Sequence, residues 1–183
     1  MAGSRRPSKQ TLARLEALSS RPLRKGLPMA LALLAGCGGP DHPPPPPLSF
    51  EGLPVSGSLE DAEKAGFTWC IPDTTEMRCR KNGATFLGHG PLNAAVDLNG
   101  SNGGGGFDQL TLWHDRDQNA VVLIGTLLER RGWRSCFTGQ DRQGDQAIYT
   151  HERAPVRVSM DISYWGKRRL RLIPTWNNRE PRC

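Results

Sequence analysis

Strict two-residue alternation constrains this chain more than any other feature. Leu92, Ala94, Val96 and Leu98 place apolar groups on one side of an extended segment, and Val156, Val158, Met160, Ile162 and Tyr164 do the same later on. Only a β-strand turns such a period into one apolar and one polar face. The intervening residues then share the opposite face: Asn93, Ala95 and Asp97 in the first segment, and Arg157, Ser159, Asp161, Ser163 and Trp165 in the second. This is the pattern of an antiparallel sheet covered on one side only. Gly166-Lys167 reads as a hairpin tip, after which Leu170 and Leu172 point inward and Arg169 and Arg171 outward.

Two helices accompany the strands. Asp117 or Asn119 suits the start of one that runs to about Arg131, with Val121, Ile124 and Leu128 on its apolar face and Gly132 as its stop. A shorter helix, capped by Ser58, spans Leu59 to Ala65. Three landmarks recur in order. Gly66-Phe67-Thr68-Trp69-Cys70 matches Gly132-Trp133-Arg134-Ser135-Cys136, Pro91 through Leu98 matches Pro155 through Ile162, and Leu110-Thr111-Leu112 matches Leu170-Arg171-Leu172. Ordered recurrence of this kind signals an internal repeat. The expected fold is therefore α+β: two tandem helix-plus-antiparallel-strand repeats, at about 59–115 and 117–176, with the helices on one face of the sheet. Such an architecture loosely resembles that of the β-lactamase inhibitor proteins and, in single copy, of small outer-membrane assembly lipoproteins. The likeness covers no sequence motif and implies little about function.

Ahead of the domain stands a stretch of different character. Arg24-Lys25 precedes a short apolar run ending in Leu34-Ala35-Gly36-Cys37, followed by Gly38-Gly39-Pro40 and five consecutive prolines, Pro43 to Pro47. A basic region, a short apolar region and small residues before a cut form a secretory signal. A dozen apolar residues are too few to span a bilayer, and the prolines forbid a helix from continuing. The tetrad Leu34-Ala35-Gly36-Cys37 resembles the lipobox of bacterial lipoproteins. That resemblance implies cleavage before Cys37 and lipidation of its sulfur, with Gly38 after the lipid site suggesting an outer-membrane address facing the periplasm. Residues 1–36 are thus expected to be a signal peptide, whose true start lies downstream of Met1. Residues 37–58, poor in large hydrophobes, are expected to form a Pro/Gly-rich tether extended as polyproline. The compact domain takes up 59–183.

Charge follows the same division. The chain carries a formal +6, but seven of its 24 Lys/Arg and one of its 18 Asp/Glu lie in residues 1–36, which leaves seventeen of each. The mature chain is neutral, so the basic pI gives no reason to expect a nucleic-acid partner. Within it, residues 37–128 are mostly acidic and 129–183 mostly basic, which marks out two surface regions of opposite sign.

Setting Cys37 aside, Cys70, Cys79, Cys136 and Cys183 form an even set for an oxidising compartment, and four cysteines allow three pairings. Cys70–Cys79 across a turn-rich segment and Cys136–Cys183 as a tail staple are preferred. Zinc is disfavoured because neither Cys-x-x-Cys nor a neighbouring His pair is present. Asp115-Arg116-Asp117-Gln118-Asn119 opens like a calcium loop but continues with Ala120 where glycine is needed, and so reads as a helix cap. The glycine run Gly103 to Gly106 lacks the lysine of a phosphate loop and reads as a flexible hairpin connection. His89, His114 and His151 stand singly. No metal or cofactor is called for.

One constellation reads as a site. Trp113, Trp165, Arg169 and Arg171, with Asp161 and Ser163 beside them, share the open sheet face, and aromatics with arginine are what interfaces enrich. Pairing of Asp161 with Arg171 across strands is the competing use of those two residues. The expected function is a membrane-tethered, non-catalytic protein-binding or assembly module. A small envelope hydrolase or a glycan-binding or glycan-processing protein is the alternative.

Overall fold

The computed structural model of the protein describes residues 43–138, 145–162 and 167–177. The alternating segments form strands as their pattern demands. Strands β1 (Leu48–Phe50) and β2 (Leu53–Ser56) make a small hairpin, followed by helix α1 (Leu59–Lys64). Four strands come next: β3 (Trp69–Pro72), β4 (Glu76–Phe86), β5 (His89–Asn99) and β6 (Phe107–Trp113). Helix α2 (Asn119–Arg130) then leads to β7 (Arg134–Thr138), β8 (Gln146–Thr150), β9 (Val156–Asp161) and β10 (Leu170–Pro174). Strands β3 to β10 form one antiparallel eight-stranded sheet in the order β3-β4-β5-β6-β10-β9-β8-β7.

This corrects the expectation of two helix-plus-strand repeats: the described chain is predominantly β, with one continuous sheet and two helices. Of the three recurring landmarks, only the last pair are neighbours in that sheet; β3 and β7 stand at its opposite edges, and β5 and β9 are separated by β6 and β10. Leu170 pairs with Leu112 and Leu172 with Leu110, so β6 and β10 run side by side at its centre. The recurrence in Leu110-Thr111-Leu112 and Leu170-Arg171-Leu172 reports similar demands on two central strands, each with alternate residues in the core. Helix α1 has only six residues and contributes a single buried side chain, Ala62.

Core and open faces divide as the alternation requires. Leu92, Ala94, Val96 and Leu98 join Leu110, Leu112, Val158, Met160, Leu170 and Leu172 in the buried cluster, where Val121, Ile124 and Leu128 of α2 meet them. Gly125 lets α2 approach the sheet, because a Cβ there would collide with the Tyr149 hydroxyl and come within 3.2 Å of Met160. Ser58 caps α1 reciprocally with Asp61, whose carboxyl is held below the ordinary carboxylate range chiefly by the Ser58 backbone N–H. Helix α2 begins without a side-chain cap. Its N-cap is Gln118, and the Asp117 carboxylate accepts from the Asn119 N–H two residues on.

The tether boundary at Ser58 is also corrected. Val55 and Leu53 of β2 are buried, and Phe50 packs between Phe86 and Trp133 at ring-centroid distances of 6.0 and 5.8 Å. The hairpin therefore completes the core. The glycine connection is an ordered turn: the Asn99 N–H donates to Gly106 O, and Gly106 has φ +73°. A Cβ on Gly106 would stand 2.6 Å from Gly57 O and 2.9 Å from Pro44. Residues 1–42, with the expected signal and Cys37, lie outside the described residues.

Candidate functional site

Alternation in β4 sets the site. Cys79 is buried, so its neighbours Arg78 and Arg80 emerge on the opposite face. Cross-strand register places Arg80 beside Trp69 of β3 on one side and Ala95 of β5 on the other. Ala95 pairs in turn with Thr111 of β6, and Thr111 with Arg171 of β10. One row of open-face residues thus reads Trp69, Arg80, Ala95, Thr111, Arg171. In the adjacent row Asn93 opposes Trp113, and Arg169 lies two residues before Arg171 on the same side. Ala95 and Thr111 are small, so the rows sink between the two tryptophans. The result is a groove of about 370 Å³ lined by Trp69, Arg78, Arg80, Asn82, Asn93, Ala95, Thr111, Trp113, Asp115, Lys167 and Arg169. That volume falls at the lower end of the range of ligand sites.

The charges in and around the groove divide into paired and unpaired groups. Arg78 grips Asp97 with a fork, Nε at 2.5 Å and an Nη at 2.9 Å, while Gln109 donates a third bond at 3.0 Å. This hydrogen bond holds the guanidinium above its usual pKa. Arg171 grips Asp161 in the same way at 2.8 and 3.1 Å, both side chains being mostly buried. Asp115 accepts from Asn93 and from the Trp113 indole N–H, and these bonds, Asn93 first, hold its carboxyl below the usual range. Arg80 and Arg169, by contrast, make no ion pair among the described residues. The Arg80 guanidinium lies 5.2 Å from the centroid of the Trp69 ring, a cation–π arrangement that fixes both side chains. Two polar atoms at this site are buried without a hydrogen-bond partner, the Arg80 Nε and the Thr111 hydroxyl.

The cysteines flank this site from below. Cys70 and Cys79 are directly opposed across β3 and β4 and are joined in a disulfide, as preferred. The bond ties the edge strand that carries Trp69 to the sheet. Cys136 is disulfide-bonded as well, and the expected Cys136–Cys183 pairing falls on a residue, Cys183, that lies outside the described residues.

Of the six open-face residues named from sequence, Trp113 and Arg169 line the groove. Asp161 and Arg171 pair with each other, the competing use foreseen for them, and Ser163 and Trp165 lie outside the described residues. The open face is also less open than expected beyond β10. Ile148, Arg157, Ser159 and Ile173 are buried there, with Arg157 donating to the carbonyl of Asn177 at 2.6 Å and the Asn177 amide donating to Asp108. Sequence reasoning missed Trp69, Arg78, Arg80 and Asn82. The signal was present in Arg78-Cys79-Arg80, but the stretch was read as a hairpin closed by a disulfide and not as a long strand with an outward face.

His89 opens β5, and His114 and His151 sit in turns. His114 Nδ1 accepts from the Arg116 and Asp117 N–H groups, and His151 Nδ1 from that of Arg153. Among the described residues no cluster of His, Cys, Asp and Glu is arranged to hold a metal ion, and no helix is long and apolar enough to cross a membrane. Comparison of the chain with protein-family models, with curated proteins and with solved structures gives no match.

Proposed function

We propose that the protein is a lipid-anchored module of the bacterial envelope that binds another envelope protein through the groove on its open sheet face, without catalysis. One observation carries the reading: the groove places two tryptophans, one of them 61 % exposed, beside Arg80 and Arg169, which make no ion pair among the described residues. Tryptophan in water is costly, and Trp and Arg anchors are where interface energy concentrates. The Nδ1 lone pairs of His114 and His151 are taken up by backbone N–H groups in turns, which supports a non-catalytic role for these two, because a general base needs that lone pair for its substrate.

The test is capture in the native envelope. Trp69→Ala with Trp113→Ala should leave the melting temperature within a few degrees of wild type and abolish crosslinking to the partner. Crosslinking that survives in the folded double variant would refute the groove as the binding surface.

Anchoring rests on the lipobox-like tetrad. Cys37→Ser is expected to shift the protein from the membrane to the soluble fraction, since two or more acyl chains anchor stably where one is marginal. Fractionation of the variant with membranes as for wild type would contradict the lipoprotein reading.

A further inference from the structure

Building on the binding-face reading, we infer that the groove takes an extended acidic segment of its partner, with carboxylates seated on Arg80 and Arg169. The argument starts from the pairing of charges. In and beside the groove, two arginines are already neutralised by forked carboxylates on the sheet itself, Arg78 by Asp97 and Arg171 by Asp161. Each pair shows that a carboxylate presented to this face finds a guanidinium fork in reach. Arg80 and Arg169 offer the same fork, and no carboxylate among the described residues occupies it.

Buried polar atoms point the same way. The Thr111 hydroxyl is buried without a partner on a residue that is 4 % exposed, and the Arg80 Nε is likewise buried and unpartnered. Both are N–H or O–H donors at the groove, and a buried donor left without an acceptor is unfavourable until one arrives.

Spacing favours a polypeptide. From β4 to β10 the sheet advances three strand spacings of about 4.8 Å, so the Arg80 and Arg169 positions stand roughly 14 Å or more apart. Carboxylates at positions i and i+4 of an extended segment are separated by about the same distance, and residue i+2 then settles on the small floor of Ala95 and Thr111. Trp69 and Trp113 bound the groove near its two ends, where they cover the flanks of the segment. Lys167 also lines the groove, where its charge is set against the Asp115 carboxylate, which leaves Arg80 and Arg169 as the groups that seat the ligand.

The experiment uses the full mature chain in detergent and a labelled seven-residue peptide with Glu at alternate positions and serine between them. Binding is read by fluorescence anisotropy at low salt. The acidic peptide is expected to bind at least tenfold more tightly than its Gln counterpart and to weaken as salt is raised. Arg80→Gln with Arg169→Gln should cost at least tenfold in affinity with unchanged melting, and Thr111→Val a smaller factor. Equal binding of the Gln peptide, or no binding of either, would overturn the inference. So would binding of an oligogalacturonate of similar charge when the peptide does not bind, since that would make the groove a glycan site. The two levels of the argument separate in the envelope: a partner whose capture is lost with the tryptophan variants but survives Arg80→Gln with Arg169→Gln overturns the acidic segment alone.

Discussion

Arg78→Ala is expected to destabilise the domain by about 3 kcal/mol, the largest effect of any single surface-facing substitution. The reason lies beneath the arginine. Asp97 is 1 % exposed, and its carboxylate is satisfied by two bonds from Arg78 and one from Gln109. Removing the guanidinium leaves a buried charge with one neutral donor, a change that typically costs about 3–5 kcal/mol. The lower end applies because Arg78 is itself about one-third exposed, so water reaches the vacated position. Arg78→Lys should recover part of the loss, since an ammonium restores charge but cannot fork both oxygens. Replacing Arg78 and Asp97 together with leucine should be far milder than Arg78→Ala. Urea denaturation of the three variants measures this ordering. A loss under 1 kcal/mol for Arg78→Ala would show that Asp97 is hydrated and the pair dispensable.

Leu172→Ala is expected to cost about 2–5 kcal/mol through lost burial and the cavity left behind. Leu172 is fully buried on β10, the strand that joins β6 to β9, and it faces Leu110 on one side and Val158 on the other. Relaxation is limited there because hydrogen-bonded strands flank the position on both sides. A domain of this size has about 5–15 kcal/mol in all, so the variant should show a clearly lowered urea midpoint. Trp69→Ala provides the contrast: the side chain is mostly exposed, and its loss should change binding and not folding. Equal destabilisation by the two substitutions would contradict the assignment of faces.

The strand faces were legible because alternation is a local property. Leu92 to Leu98 and Val156 to Met160 needed no knowledge of their neighbours to be placed in the core. Which strands lie side by side is a long-range property, and there the reading failed. Leu110-Thr111-Leu112 and Leu170-Arg171-Leu172 look like copies because each occupies the centre of a sheet, and nothing local says that it is the same sheet and that they pair with each other. The hairpin of β1 and β2 was hidden for a related reason. Phe50, Leu53 and Val55 are too few to order a segment alone, but they find Phe86 and Trp133 already in place. The site was half visible. Trp113 and Arg169 follow from alternation, whereas Trp69 and Arg80 reach the groove through the pairing of β3 with β4, which the disulfide between Cys70 and Cys79 marked without revealing its consequence.

The groove is the centre of this account, and photo-crosslinking addresses it most directly. A photoreactive amino acid at Asn82 or Asn93, both lining the groove, is compared in living cells with one at Leu123, which is exposed on α2. The expected result is a discrete crosslinked product from the two groove positions and none from Leu123. A product from Leu123 with none from Asn82 or Asn93 would place the partner on the helical side and contradict the account.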